Sequence, residues 1–367
     1  MTGFYIHQKE LIWFNKDEEG PSDQEKLELI SQNNPDNPFN NFVGNENGVR
    51  RLLRAAYTAF GRYNRCCNDQ NFALLGPASV GKTTMAKMYA KLIGIPFVEI
   101  SPKRINKISD VIQCISDVLN NVSGVWQDSS GNEWEYTLSL VNLGDGKRFC
   151  PPIIVFIDEV HALKNAIVQG LLKATEKKDG ILVDENGINL NCTNVCWVVA
   201  TTDRGQLFDA FDTRFTKINL EPYTLNEISK IISINYPDWS NKVCDLVAKY
   251  SGGVPREAIA FAKEMCLEHA IRPDSWENIA LTVAKDNNID EHGMSFQRLK
   301  ILKFLKDAPV PKNRLAITLN CKEEELEKFI LPPMLQFTLD RNPLITVTSK
   351  GYTITETGLE ELRKRGV

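Results

Sequence analysis

The residues best able to do chemistry stand in two short blocks. From Leu74 the chain reads LLGPASVGKTTMAK, in which Gly76, Pro77, Ala78, Ser79, Val80, Gly81, Lys82 and Thr83 fit the spacing G-x-x-x-x-G-K-[ST], with Thr84 next. Glycines at both ends let the main chain curl until its N–H groups converge, and a helix opening at Lys82 adds positive potential at the same point. Such a centre suits phosphate. Lys82 is expected to neutralise the outer phosphates of a nucleoside triphosphate, and the Thr83 hydroxyl to ligate Mg2+. A glycine turn with an incidental lysine is the bland alternative; the apolar run before the loop and the helical pattern after it speak against that.

The second block is IIVFIDEV, where Asp158 and Glu159 follow five apolar residues. Asp158 is expected in the Mg2+ shell, and Glu159 is placed to polarise an attacking water. Acids that merely cap the next helix are the competing account. Taken together the two blocks point to ATP hydrolysis, with ATP and Mg2+ as cofactors, and not to binding alone.

The elements that must position these groups can be traced in the pattern from Phe72 to Ala200. FALL, IPFVEI, IIVFI and VCWVVA read as strands, with helical periodicity starting at Lys82, Ser109 and Leu163 between them. That alternation predicts an α/β fold, a parallel sheet with crossover helices. The helix from Lys82 places Met85, Met88, Tyr89 and Leu92 on one face, and Gly94 is suited to close it. After Leu220 the pattern turns all-helical, opening on TLNE, where Thr224 and Glu227 make a capping box. From Ser295 come two short helices, a third from Lys322, and LITVTSKGYTI, two strands around a Ser349–Gly351 turn. This layout predicts a C-terminal winged helix. The expected division is an N-terminal arm (1–38), a large α/β ATPase domain (39–220), a small helical lid (221–288) and a winged helix (289–367). Residues 120–149 interrupt the scheme with a turn-rich, aromatic segment read as an inserted hairpin.

Composition narrows the class. With 367 residues the chain suits two or three domains, and 43% apolar with 25% charged residues is ordinary for a globular protein. The formal charge of −4 excludes a surface basic all round, so any nucleic-acid contact must be local. Nine scattered cysteines and four histidines assemble no four-ligand zinc cluster, and reduced thiols are expected. Charged residues from His7 to Glu10 leave neither a signal peptide nor a spanning helix visible, so a cytoplasmic location is expected.

In order and spacing these motifs resemble the AAA+ ATPases, and within them the RuvB family of Holliday-junction branch-migration motors, from about Phe39 onward. FNNFVGNENGVRRL looks like that family's adenine-side segment, which implies Phe42 and Val43 as base contacts. IDEVHAL, with His161, is close to its Walker B, VVATTDRGQLFDAFDTRF to its sensor 1 and arginine-finger segment, and SGGVPREA to its sensor 2. Thr202, at the tip of the strand beside Asp158, is a small hydroxyl able to report the γ-phosphate or hold the water, with Thr201 as runner-up. Arg214 suits an arginine finger reaching a neighbouring subunit's nucleotide, against the alternative of a surface ion pair. Arg256, at the start of a helix, is suited to touch phosphates and move the lid with nucleotide state. Tyr223 either packs on ribose or adenine or is a core aromatic.

The resemblance further implies a homo-oligomeric ring, a hexamer, acting on duplex or junction DNA and working with a junction-binding partner, RuvA. Two departures bear on this. The family's wing carries several arginines, whereas this one offers Lys350 with Arg341 nearby, behind a helix opening on Glu323, Glu324, Glu325 and Glu327. The hairpin between Glu176 and Asn194, turning at Asp184 to Gly187, is short and polar where the family's docks RuvA through apolar residues, so RuvA binding is not carried over. Trp126, Trp134 and Tyr136 of the insertion offer a replacement surface, or form a buried hairpin core. The leading expectation is an ATP-driven DNA motor. The rivals are an ATP-switched loader or initiator, and a partner-remodelling ATPase that never touches DNA.

Overall fold

The computed structural model describes residues 4–7, 10–13, 22–60, 70–127, 133–176, 179–202, 213–336 and 342–366. The chain forms two compact units, Met1–Leu220 and Glu221–Val367.

The first unit is built on a five-stranded sheet whose strand order is Phe215–Asn219, Asn71–Leu75, Val195–Thr201, Ile153–Ile157, Phe97–Ile100. Every adjacent pair is parallel. The three central strands are buried at every residue, as strands covered on both faces must be. Buried polar groups among them are satisfied: Asn71 donates to the Thr175 carbonyl at 3.1 Å and accepts the Trp197 N–H at 3.0 Å, while the Trp197 indole donates to Ala174 O at 3.2 Å. The parallel α/β fold expected from the alternation is therefore present.

The helix Lys82–Ile93 ends on Gly94 at φ 68, the left-handed closure expected of it. Its buried face is Met85, Ala86, Tyr89, Ala90 and Ile93, whereas Met88 and Leu92 are only half-buried. Small Ala86 and Ala90 let the helix lie close on the sheet, which apolar spacing alone under-weights.

Residues 120–149 form two hairpins instead of one. Ser123–Gln127 pairs with Glu133–Thr137, and Val141–Gly144 with Lys147–Phe149. The second hairpin is extended by the hairpin Ile181–Val183/Asn189–Asn191 through a parallel pairing of Asn189–Asn191 with Lys147–Phe149, giving a four-stranded sheet. Trp126, Trp134 and Tyr136 lie outside the described side chains.

The second unit begins with Thr224 and Glu227 in the expected capping box on the helix Leu225–Asn235. Helices Asn241–Tyr250, Pro255–Ile271 and Trp276–Asp286 follow, with Trp239 stacked on Tyr236 at 4.4 Å and against Trp276 at 4.8 Å. The last part has helices Phe296–Leu305 and Lys312–Leu319, a broken helical stretch from Glu323 to Leu335, the hairpin Ile345–Thr348/Gly351–Ile354, and helix Glu356–Arg363. This is the helix-helix-helix-wing layout of a winged helix. Leu302, Leu315, Leu326, Met334 and Ile345 fill its core. Gly351 sits at φ 119, and a Cβ there would meet the Val310 carbonyl oxygen at 2.5 Å, so the wing's turn requires glycine.

Candidate nucleotide site

The central strands Asn71–Leu75, Ile153–Ile157 and Val195–Thr201 run parallel, so their carboxyl ends share one edge of the sheet, where open α/β folds bind ligands. The phosphate loop, Asp158–Glu159 and Thr202 are the next residues after those three ends.

The loop after Leu75 turns through Ser79 at φ 64 and Gly81 at φ 87, and the helix starts at once on Lys82. Both are left-handed, and together with the N–H groups that open the helix they supply the concave set of donors that anions need. Lys82 is 93% buried, and its ammonium donates to the carbonyls of Gly76 and Pro77, both at 2.8 Å. A buried ammonium held by its own loop is pre-positioned charge. Gly76 packs against the end of the sheet so tightly that a Cβ would meet Leu220 O at 2.5 Å.

Asp158 leaves the buried strand half-buried, and its Oδ1 accepts the Glu159 N–H at 3.0 Å. Burial pushes its carboxyl above the usual aspartate range, with the Glu159 charge acting the same way and the Lys82 ammonium opposing. A nearby cation would act in the same direction as the Lys82 ammonium. Glu159 has φ 50, a left-handed conformation that a non-glycine residue adopts at a cost. There its Oε2 accepts from the Thr202 N–H at 3.1 Å and the Thr202 hydroxyl at 3.0 Å, with His161 Nδ1 at 3.3 Å. His161 Nδ1 also lies 2.8 Å from the hydroxyl of Thr201, which is fully buried. Thr202 is thus the threonine that meets the carboxylate, while Thr201 faces inward.

Among the described residues no cluster of three or more His, Cys, Asp or Glu side chains forms a cage for a metal. Thr83 and Asp158 would offer a Mg2+ ion one hydroxyl and one carboxylate, beside phosphate oxygens.

The remaining expected residues stand on other elements of the chain. Phe42 and Val43 are half-buried just past the turn Pro38–Asn41, with Phe42 edge-on to buried Phe39 at 6.3 Å. Arg214 precedes the strand Phe215–Asn219, where its guanidinium stands 3.5 Å from Glu176 of the same chain. Residues 203–212, which carry most of the expected finger segment, lie outside the described residues. Tyr223 and Arg256 belong to the second unit; Tyr223 is buried, and Arg256 is exposed at the start of the helix Pro255–Ile271.

Two contacts were not foreseen. One is the His161–Thr201 pairing, for which the only signal was a histidine two residues after Glu159. The other is Glu185, at the tip of the short hairpin, whose carboxylate accepts the N–H groups of Ile108 at 2.7 Å and Ser109 at 3.3 Å. It caps the helix Ile108–Asn120, and its own backbone N–H first, then those of Ile108 and Ser109, hold its carboxyl below the usual range. The hairpin tip is thereby fastened to its own domain.

The model of the ATPase family associated with various cellular activities (AAA) matches residues 72–223. The chain carries an AAA ATPase domain. Over most of its length it is also similar to the Holliday junction branch migration complex subunit RuvB. The protein of Mycoplasma pneumoniae is 24% identical over 340 residues, covering 88% of this chain and 96% of its own. That of Thermotoga maritima is 25% identical over 338 residues, covering 88% and 90%. Among solved structures, the Thermotoga maritima RuvB Holliday junction branch migration motor superposes with a TM-score of 0.62 at 24% identity, covering 88% of this chain and 95% of that one. A mutant of the same protein reaches 0.65 at 23% identity, covering 90% and 98%. The chain is therefore RuvB-like, with a nucleotide-binding AAA core followed by a second unit of the same overall fold. No helix among the described residues is long and apolar enough to cross a membrane.

Proposed function

We propose that the chain is an ATP-driven DNA motor of RuvB type, in which hydrolysis of ATP to ADP and phosphate is coupled to movement of duplex or junction DNA in recombination or repair. The observation that carries this reading is the extent of the likeness: it spans about nine-tenths of both chains and includes the C-terminal unit as well as the ATPase core.

The roles follow from the chemistry of each group. Main-chain N–H groups from Ala78 to Thr84 would cradle the phosphates, with Gly76 and Pro77 shaping the loop, and Lys82 would neutralise the outer ones. Thr83 and Asp158 would hold Mg2+, which when bound offsets phosphate charge. Glu159, fixed by Thr202, would take the proton of the attacking water, a step worth roughly 10^2 to 10^4 in rate. Arg256 and Tyr223 read the nucleotide from the lid, and Phe42 and Val43 pack on the base. Arg214 enters the site of the next copy in a homo-oligomeric ring, a hexamer in the family, so each complete site lies between two subunits. The four-part division into arm, ATPase domain, lid and winged helix is part of the same proposal, as is cytoplasmic placement. The Glu185 clamp and the polar hairpin tip argue against docking a RuvA-like partner in the family's manner.

The acids at Glu323 to Glu327 favour one alternative, an ATP-switched loader or initiator that grips DNA or a partner and hydrolyses slowly as a release signal. ATPase rates with and without duplex and four-way DNA, measured beside junction dissociation, separate the two. Strong stimulation together with strand movement is expected; tight binding with no movement would favour the loader, and indifference to DNA would refute the motor.

A further inference from the structure

Positive charge in the second unit is concentrated away from the wing. Residues 296–319 contain six basic side chains and one acid, in a chain whose net charge is −4. Arg298 is spent on Glu257 at 3.1 Å, and Lys312 on Glu327 at 2.7 Å and Glu323 at 3.3 Å. Lys300, Lys303, Lys306 and Arg314 have no carboxylate within salt-bridge distance among the described residues, and all four are exposed.

Two contacts set Lys300 and Arg314 where the two helices meet, and Lys303 and Lys306 follow Lys300 at three-residue spacing along the exposed side of its helix. The Lys300 ammonium donates to Thr318 O at 2.7 Å, and the Arg314 guanidinium lies over the Phe304 ring at 5.8 Å. The helices Phe296–Leu305 and Lys312–Leu319 therefore lie side by side in opposite senses, with Lys300 beside the seam that Arg314 lines from the other side. Lys312, near the acids of residues 323–327, is at the far end of its helix from Thr318. Lys300 to Lys306 spans about 9 Å along the helix, the rise of two to three phosphate steps of one DNA strand. By contrast, the described wing residues offer Lys350 alone, and the helix before the wing opens on glutamates.

We propose that duplex DNA is gripped by its phosphate backbone on this seam, through Lys300, Lys303, Lys306 and Arg314, and not by the wing or the helix before it. The inference rests on the reading of the chain as a DNA motor, and adds where the DNA lies. Contact is with phosphates, so it is indifferent to sequence and steep in salt.

The test is fluorescence anisotropy of a labelled duplex with the full chain and a non-hydrolysable ATP analogue, across a salt series. The combined Lys303→Gln, Lys306→Gln, Arg314→Gln variant should flatten the slope of log affinity against log salt by about 2.7, at ~0.9 per lost phosphate contact. Lys350→Gln should leave the slope as in the parent. Arg314→Lys, added back to the Lys303→Gln, Lys306→Gln pair, should recover about 0.9 of that slope. An unstimulated ATPase rate equal to the parent's certifies that the variants are folded. An unchanged slope in the combined variant, or a loss produced by Lys350→Gln instead, would overturn the seam and leave the motor standing. A parent chain that binds no duplex at any salt would overturn the motor reading itself.

Discussion

Replacing Thr202 by valine tests the site at its most specific contact. The substitution keeps side-chain volume and the N–H that meets Glu159 at 3.1 Å, and removes only the hydroxyl that donates to the same Oε2 at 3.0 Å. Hydrogen bonds to an ionised carboxylate are worth about 1.5–3 kcal/mol. The Glu159 side chain is 38% exposed, so water replaces part of the loss and the lower end applies. About 1.5 kcal/mol of lost positioning corresponds to roughly a tenfold fall in kcat. The KM for ATP should barely move if the hydroxyl serves to fix Glu159, whereas a hydroxyl that reported the γ-phosphate would raise KM as well. Steady-state phosphate release over a range of ATP concentrations reads both quantities. Glu159→Gln gives the reference loss, roughly 100-fold or more, and Thr202→Val in that background should cost little further, since the acceptor's charge has gone. A Thr202→Val chain that turns over within twofold of the parent, or faster, would refute the assignment of that hydroxyl as the holder of the general base.

Two further predictions concern contacts that fasten segments within each unit. Asp290 is partly buried, which alone would raise its carboxyl, but the Arg365 hydrogen bond, the Met294 N–H, the Arg365 charge and the His292 N–H bring it below the usual range. A depressed folded value means stability present above about pH 4 and lost as pH falls through that lowered value. Asp290→Asn should therefore cost about 1 kcal/mol at neutral pH, seen as a lower Tm, and the gap from the parent should narrow as pH falls below about 4; a gap that does not narrow with acid contradicts the ion pair. Glu185→Ala should speed hydrogen exchange at the Ile108 and Ser109 amides about fivefold, while exchange in the central strand Val195–Thr201 stays as in the parent.

The parallel sheet was legible because its three central strands are covered on both faces, which writes unbroken apolar runs such as IIVFI into the chain. The phosphate loop was legible because glycine and lysine spacing is fixed by main-chain geometry. Residues 120–149 were harder: that its second hairpin joins the hairpin at 181–191 depends on a parallel pairing between segments far apart in sequence, which no local signal encodes. For the same reason Glu185 looked like an ordinary turn acid, since its partners lie 76 and 77 residues away. Thr201 and Thr202 were adjacent alternatives on the page, and only strand alternation decides which hydroxyl points inward. The shift of the Lys82–Ile93 helix face toward alanines had no strong apolar marker, because small residues matter there for closeness and not for area.

The central claim is that ATP is cut only where one copy supplies Glu159 and the next supplies Arg214. ATP turnover in mixtures of two inactive chains, Glu159→Gln and Arg214→Ala, tests it most directly. Each alone should bind nucleotide and hydrolyse it poorly. An equimolar mixture should turn over well above the sum of the two, because interfaces pairing an intact Glu159 with an intact Arg214 are complete. A mixture no faster than that sum, or an Arg214→Ala chain as fast as the parent, would contradict it.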